Sequence, residues 1–381
     1  MPWEEVTRVS LREEFVQLAM HDGVNKRELC RRFKISPQTG YKWLRRYAAE
    51  GAGGLEDRSR RPCHSPLRTD AAIEQRVLEL RAESRNCWGG RKLSRQLLKG
   101  DGPKLAPSTI TSILRRAGLL NPALSAAATP WQRFERSGPN ELWQMDFKGH
   151  FALVNGQRCH PLTVLDDHSR FSLLLTACAD ERAGTVQAAL TTAFRRCGLP
   201  AAMLMDNGGP WAGGPAHSWT ALSLWLVRLG IHVSHGHPYH PQTQGKEERF
   251  HRTLQFELLR HFNFTSLAHC QREFDRFRER YNAQRPHDAL GLETPARRYQ
   301  VSPLAFPETL SAIEYPSGLE VRKVQSNGWF SYRGHEFRVT EALRGLPIAL
   351  RPVVEADTQR EVLFCNQVIA RIDLNHADVR S

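Results

Sequence analysis

Apolar positions over residues 10–49 recur at helical spacing and are interrupted twice by polar or turn-forming residues. Leu11, Phe15 and Leu18 share one face of a helix predicted over roughly 10–20, and after His21-Asp22-Gly23 the residues Leu29 and Phe33 mark a second over roughly 25–33. A third opens with Ser36 as N-cap and Pro37 in the first helical position, and presents Tyr41, Leu44 and Tyr47 on one side. The second and third are joined by Lys34-Ile35, and the third carries Gln38, Thr39, Lys42, Arg45 and Arg46 on its other faces. That is a helix-turn-helix pattern, which favours DNA binding over a small bundle with a solvated basic face.

Residues 51–68 are rich in Gly, Arg, Ser and Pro and predict an extended basic linker, either tracking a phosphate backbone or minor groove or simply solvated. A second helical unit follows over 69–120. Its helices are expected at 71–82 (Ile73, Val77 and Leu80 inward), 91–98 and 107–117, the last ended by Gly118 and displaying Ser108, Thr109 and Arg115. It resembles another helix-turn-helix. Residues 121–140, with Pro122, Pro130 and Pro139, read as a linker.

From residue 141 the period changes. Strands are predicted at 142–147, 160–166, 171–176, 201–205 and 231–235, and helices at 183–197, 219–229, 245–261 and 264–281. This order gives a mixed sheet flanked by helices. After about residue 300 the chain turns β-rich. Runs at 329–332 and 335–339 flank an Arg333-Gly334 turn, further strands fall at 347–352 and 361–364, and a small β-barrel is expected. The predicted fold class is therefore multidomain: N-terminal all-α helix-turn-helix units (1–50 and 69–120, with a basic linker at 51–68), a linker at 121–140, a central α/β core at 141–300 and a C-terminal β domain at 301–381.

Charge narrows the partner. The 381 residues carry a formal net charge of +13, which favours nucleic acid or an anionic membrane surface. Residues 1–140 hold 26 Lys and Arg against 15 Asp and Glu, whereas 301–381 hold 9 against 10, so the excess sits on the helical units. No apolar run approaches the ~20 residues of a membrane span, and the start lacks a basic segment followed by an apolar one. The expectation is a cytoplasmic, bacterial, nucleoid-associated protein bound to double-stranded DNA, with no membrane partner. The 8 cysteines include no CxxC pair, which points to reduced thiols rather than a zinc site or disulfide framework.

Three acids are candidates for chemistry. Asp146 lies in an otherwise apolar strand, where a carboxylate is costly to bury unless paired or metal-bound; Asp206 follows the apolar run Met203-Leu204-Met205; Glu248 lies in the first turn of a helix. If they converge, they form a hard oxygen donor set suited to Mg2+ or Mn2+. Two ions at such a site activate a water or 3′-hydroxyl and stabilise the leaving oxygen of a phosphodiester; Asp146 would bridge them, with Asp206 and Glu248 each completing one shell. Judged by spacing alone, three such acids are more often caps, surface charges or ion pairs.

The segment from His237 to Leu254, containing Pro241-Gln242-Thr243-Gln244-Gly245-Lys246-Glu247-Glu248-Arg249, resembles the hallmark of bacterial insertion-sequence transposases with a retroviral-integrase-like (DDE) catalytic core. Leu142-Trp143-Gln144-Met145-Asp146-Phe147 and Asp206-Asn207-Gly208-Gly209 are similar to its two aspartate motifs. Val164–Arg170 resembles its second-strand signature, and the stretch from Tyr281-Asn282 through Arg285-Pro286-His287 to Thr294-Pro295-Ala296 resembles the part closing the core. The resemblance covers most of 141–299. It implies a ribonuclease-H-like core, the catalytic and metal-binding set Asp146, Asp206 and Glu248 (rather than Glu247), two Mg2+ or Mn2+ ions per site, and helix-turn-helix units that bind terminal inverted repeats. Asp166 and Asp167 are then structural. Between Asp206 and Glu248 lie 41 residues, against about 35 common in the family, and the surplus falls near the Gly- and Pro-rich stretch 209–218, where a loop insertion is cheap. Retroviral integrases also carry an N-terminal His/Cys zinc module; 1–140 lacks that spacing, and His237 and His240 lack companions, so no zinc is expected.

Lys246, Arg249 and Arg252 flank Glu248 and are expected to contact phosphates near the cut, against ion pairing or solvation as the plain alternative. Trp329 and Phe330 are assigned to packing rather than stacking on DNA. The resulting expectation is a DNA transposase, at least a dimer on DNA, performing 3′-end hydrolysis and strand transfer into target DNA. The alternatives are a catalytically inactive transposase-derived regulator and a nuclease that only hydrolyses.

Overall fold

The computed structural model describes residues 8–58, 68–100, 102–120, 135–211, 219–235, 245–353 and 356–376. The chain forms two compact units, Met1–Thr69 and Asp70–Ser381.

In the first unit, α1 (Arg8–Ala19), α2 (Lys26–Arg32) and α3 (Pro37–Glu50) surround Phe15, Val16, Ala19, Leu29, Cys30, Trp43 and Leu55. The starts are capped as the sequence requires: the Asn25 side chain accepts from the Arg27 and Glu28 amides, and Ser36 Oγ accepts from the Thr39 amide. Lys34 takes φ +52° at the turn between α2 and α3. Of the residues expected inward, Phe15, Leu18, Leu29, Phe33, Leu44 and Tyr47 pack in this core, and two do not. Leu11 and Tyr41 are 43% and 45% exposed, while Gly40 and Trp43 of α3 are buried, with Leu44 and Tyr47 half-buried against the core. Gly40 permits the close packing, since a Cβ there would lie 2.5 Å from Cys30 Sγ. The predicted extended linker also starts later. Gly51–Leu55 folds back as a 3-10 turn with Gly54 and Leu55 buried, and Arg12 donates to the Leu55 carbonyl at 2.7 Å and pairs with Asp57 at 2.8 Å. The rest of that linker, 59–67, lies outside the described residues, as does most of the 121–140 linker.

The second unit opens with α4 (Ala71–Glu83), α5 (Gly90–Lys99) and α6 (Pro107–Arg116) around Val77, Leu80, Trp88, Leu93, Leu97, Ile110, Ile113 and Leu114. Gly118, at φ +71°, ends α6 in a Schellman motif: the Leu119 amide donates to the Leu114 carbonyl and the Gly118 amide to that of Arg115.

The α/β part carries β1 (Trp143–Phe147), β2 (Phe151–Ala152), β3 (Arg158–Asp166), β4 (Ser172–Cys178), α7 (Ala183–Cys197), β5 (Ala202–Met205), α8 (Ala221–Arg228), β6 (His232–His235), α9 (Gly245–Glu257) and α10 (Leu267–Ala283). In one mixed sheet β3 pairs antiparallel with β1, β2 and β4, while β1, β5 and β6 run parallel. The edges are β4 and β6. One face packs through Trp143, Met145, Val164 and Met203 against Val186, Leu190, Phe194, Leu222 and Leu226 of α7 and α8. The other packs through Leu165 and Leu175 against Phe250, Leu254, Phe274, Phe277 and Tyr281 of α9 and α10. Central strands buried on both faces read as near-continuous apolar runs, which is why 160–166 was legible.

The tail forms β7 (Glu320–Lys323), β8 (Trp329–Tyr332), β9 (His335–Arg338), β10 (Pro347–Val353), β11 (Ala356–Phe364) and β12 (Gln367–Asp373). The β8–β9 hairpin turns at Arg333 and Gly334, both at positive φ. The expected small barrel is instead an open antiparallel sheet, β12-β11-β10-β7, beside this hairpin: among the described residues its end strands do not pair. It needs no closure, because Phe330, Tyr332, Ile348, Leu350, Val362 and Phe364 join the same apolar cluster as α7 and α8.

Candidate active site

Asp146 sits near the end of β1 and faces the side covered by α9, directly across the ladder from Thr163 of β3. Its neighbour Phe147 points the other way and stacks on Trp211, with ring centroids 5.5 Å apart. Asp206 leaves the C-terminal end of β5, which runs parallel to β1, so the topology delivers both carboxylates to one end of the sheet. Asp206 Oδ1 accepts from the Gly208 amide at 3.0 Å and from the indole N–H of Trp211, and His235 Nδ1 donates to its backbone carbonyl. A Cβ on Gly208 would stand 3.1 Å from Asp206 Oδ2, so the glycine keeps the space beside that oxygen clear. Glu248 is exposed in the first turn of α9, where acids are favoured by the helix dipole.

Burial raises the Asp146 carboxyl to about 7, and the charges of Asp206, Glu248 and Glu181 push in the same direction. Asp146 therefore feels the charge of both other expected acids. The three do not yet share a coordination shell: among the described residues no three His, Cys, Asp or Glu side chains stand close enough to hold a metal ion. Their donor chemistry, all-carboxylate with a cleared space beside Asp206 Oδ2, nevertheless fits a hard divalent cation.

Three residues around this set were given no role by the sequence. Glu247 is fully buried behind Asp146, and desolvation holds its carboxyl well above the usual range. His251, one turn along α9, lies 3.9 Å from Asp146 Oδ2, and burial lowers it to about 4. Trp211 orients Asp206. Only the i, i+4 spacing of Glu247 and His251 could have flagged the first two.

Asp166 accepts from the Asn140 and Ser169 amides and the Ser169 hydroxyl. Asp167 accepts from Arg136 N–H and Gln144 Nε2. Both carboxylates are spent on holding chain turns. Lys246 departs from expectation: its ammonium pairs with the buried Asp167 instead of standing free for phosphate, and burial lowers it. Arg249 and Arg252 are exposed on α9.

In the helical units, Gln38, Lys42, Arg45, Ser108 and Arg115 are exposed, and Thr39, Arg46 and Thr109 are half-buried. Lys42 and Arg46 are drawn over the Trp43 ring, at 5.0 and 5.1 Å. His237, His240 and the rest of 236–244 lie outside the described residues. The described cysteines are free, and no described helix is long and apolar enough to cross a membrane.

A mixed sheet with acids at one end, preceded by helix-turn-helix units, defines an integrase-core protein. Two integrase core domain models match residues 136–241 and 229–295, a helix-turn-helix domain model matches 11–62 and a homeodomain-like domain model matches 39–114. The model of the C-terminal domain of IS481 family transposases matches 319–380. The chain belongs to the IS481 family of transposases.

Among its relatives, the 39.2 kDa protein of insertion element IS476 from Xanthomonas euvesicatoria is 30% identical over 240 residues, 61% of this chain and 67% of that protein. The 31.7 kDa protein of insertion element IS407 from Burkholderia multivorans is 29% identical over 253 residues, 64% of this chain and 88% of that one. The integrase catalytic core domain of HTLV-2, solved with magnesium, aligns at 17% identity over 43% of this chain and 99% of that one, with a TM-score of only 0.34.

Proposed function

We propose that this transposase is catalytically active: it binds the terminal inverted repeats of its element and performs metal-dependent 3′-end hydrolysis and strand transfer, with Asp146, Asp206 and Glu248 as the catalytic carboxylates. The observation that carries the reading is the Asp146 carboxyl, raised to about 7 by burial and by the charges of Asp206 and Glu248. Repulsion of the Asp146 carboxyl by the acids around it is a cost that a divalent cation would offset, and a carboxyl perturbed in this way at a sheet end supports a functional site.

Asp146, Asp206 and Glu248 would hold two Mg2+ or Mn2+ ions. Such ions activate a water or 3′-hydroxyl nucleophile and stabilise the leaving oxygen of a phosphodiester. The chain's own part is positional. Trp211 and the Gly208 amide fix the Asp206 carboxylate, the pairing of β1 with β3 and β5 fixes Asp146, and Arg249 and Arg252 offer exposed charge to the backbone on either side of the cut. Through Gln38, Lys42 and Arg45, α3 would read the repeat, and α6 would add Ser108, Thr109 and Arg115. The proposed division of labour keeps 1–50 and 69–120 for end recognition, 141–300 for chemistry and 301–381 for assembly. Joining two ends requires at least two copies on DNA.

The test is Asp146→Asn on an oligonucleotide duplex carrying the element's terminal repeat. Metal-dependent nicking and strand transfer should fall by at least 10³-fold, on the order expected when an obligatory catalytic group is removed, while repeat binding is retained. Equal activity in the variant would remove the assignment. Nicking without joining would leave a nuclease, and binding without either would leave a regulator.

A further inference from the structure

Thr163 is the one hydroxyl in the apolar run Pro161-Leu162-Thr163-Val164-Leu165 of β3, and it is completely buried. A hydroxyl in that setting needs partners, and Thr163 has three. Its Oγ1 lies 3.0 Å from the Asp146 carbonyl oxygen, 3.0 Å from Glu247 Oε2 and 2.8 Å from His251 Nε2. The single hydroxyl proton is shared between the two oxygens, and a lone pair is left to accept from His251 Nε2.

These partners come from two elements. Asp146 is the cross-strand partner of Thr163, whereas Glu247 and His251 stand one turn apart on the same face of α9. The second carboxyl oxygen of Glu247, Oε1, is buried and among the described residues has no side-chain partner, while Oε2 is received by the Thr163 hydroxyl, with His251 Nε2 3.7 Å away. Glu248 follows Glu247 directly. A helix turns about 100° per residue, so fixing Glu247 against β3 fixes the direction in which Glu248 leaves the helix.

We propose that Thr163 is a positioning residue: its buried hydroxyl, shared by the Asp146 carbonyl, Glu247 and His251, sets the rotational phase at which α9 presents Glu248 to Asp146. This rests on the reading of Asp146, Asp206 and Glu248 as the catalytic set. Thr163 touches neither substrate nor ion. It acts through the helix, as outer-shell partners of ligands do, and loss of such partners typically costs 10- to 100-fold in metal affinity.

The experiment uses the full-length chain with Thr163→Val, which keeps the shape and deletes the hydroxyl, and Thr163→Ser, which keeps the hydroxyl. Mn2+ binding is followed by electron paramagnetic resonance without DNA, beside repeat binding and the thermal midpoint. The expected result is roughly tenfold weaker Mn2+ binding in Thr163→Val with unchanged repeat binding, and recovery to within about twofold of wild type in Thr163→Ser. Mn2+ binding equal to wild type in Thr163→Val overturns the proposal, and so does equal impairment of the two variants, which would assign the effect to the side-chain methyl. If Thr163→Val does not fold, Glu247→Leu removes the same contact from the helix side. Weakened Mn2+ binding there supports the proposal, and unaltered binding overturns it. Failure of the underlying reading is distinguishable, because wild type and Asp146→Asn would then bind Mn2+ alike.

Discussion

At the scale of single residues, the chain spends polar side chains on orienting other side chains. Trp211 is among the largest fully buried residues, yet its indole N–H is directed at Asp206. Lys92 carries a cost of a different kind. It is mostly buried beside Arg285, 3.5 Å from Asp288, and burial lowers its ammonium from 10.5 to about 8. Between these two values the unfolded chain binds a proton that the folded chain has released, so this group makes stability rise with pH from about 8 to 10.5, and the full penalty acts below 8. At one pKa unit per 1.36 kcal/mol the penalty is at most about 3 kcal/mol, with the opposing pull of Asp288 already contained in the shift. Lys92→Met should therefore gain thermal stability relative to wild type at pH 7.5, and the gain should shrink toward pH 10. Thermal midpoints at both pH values check this; a difference independent of pH would contradict it.

At the scale of elements, helix phase and close approach decided what periodicity left open. Of Leu11, Phe15 and Leu18 on one face of α1, Phe15 and Leu18 pack inward but Leu11 does not, and the buried face also takes in Val16 and Ala19, since α3 and the 3-10 turn at 51–55 pack on that side. Gly90 shows a local preference overridden. Alanine in a helix is favoured over glycine by about 1 kcal/mol, yet a Cβ here would lie 2.4 Å from the Pro107 carbonyl oxygen and 2.5 Å from Thr111 Oγ1. Overpacking of this kind costs about 1–3 kcal/mol, and the steric cost prevails. Gly90→Ala should lower the thermal midpoint of the second unit by a few degrees; an unchanged or higher midpoint would show that α5 and α6 separate freely.

At the scale of the whole second unit, both open edges of the sheet are closed by side-chain amides. On β4, the Asn282 amide accepts from the Ser172 N–H at 2.8 Å and donates to its carbonyl at 3.0 Å. On β6, Gln367 does the same for Val233, at 2.9 and 2.6 Å. Unpaired strand edges invite pairing with other chains, and each amide satisfies backbone groups that the ladder leaves over. Gln367 belongs to β12, so the tail is stitched to the core, with Trp219 Nε1 donating to the Ile369 carbonyl as a second stitch. Gln367→Ala should speed hydrogen exchange of the Val233 amide at least tenfold, the factor that 1.4 kcal/mol of lost protection gives, while Ser172 keeps its rate. Unchanged exchange at Val233 would show that the tail's apolar packing alone holds the edge.

The sequence by itself determined the order of elements and the kind of side chain at each chemical position. Periodicity, caps and turns are local, so the Ser36 cap, the Gly118 stop, the Arg333-Gly334 hairpin and the 183–197 helix needed no knowledge of distant residues. Likewise, Asp146, Asp206 and Glu248 were distinguished by the motifs around them. Tertiary structure decided the relations among elements: that the tail forms an open sheet on the core, that Lys246 turns to Asp167, and that Thr163, Glu247 and His251 meet under α9. The physical reason is that burial, pairing and pKa depend on what stands opposite a side chain in space. For Thr163 and Glu247 that neighbour is 84 positions away along the chain.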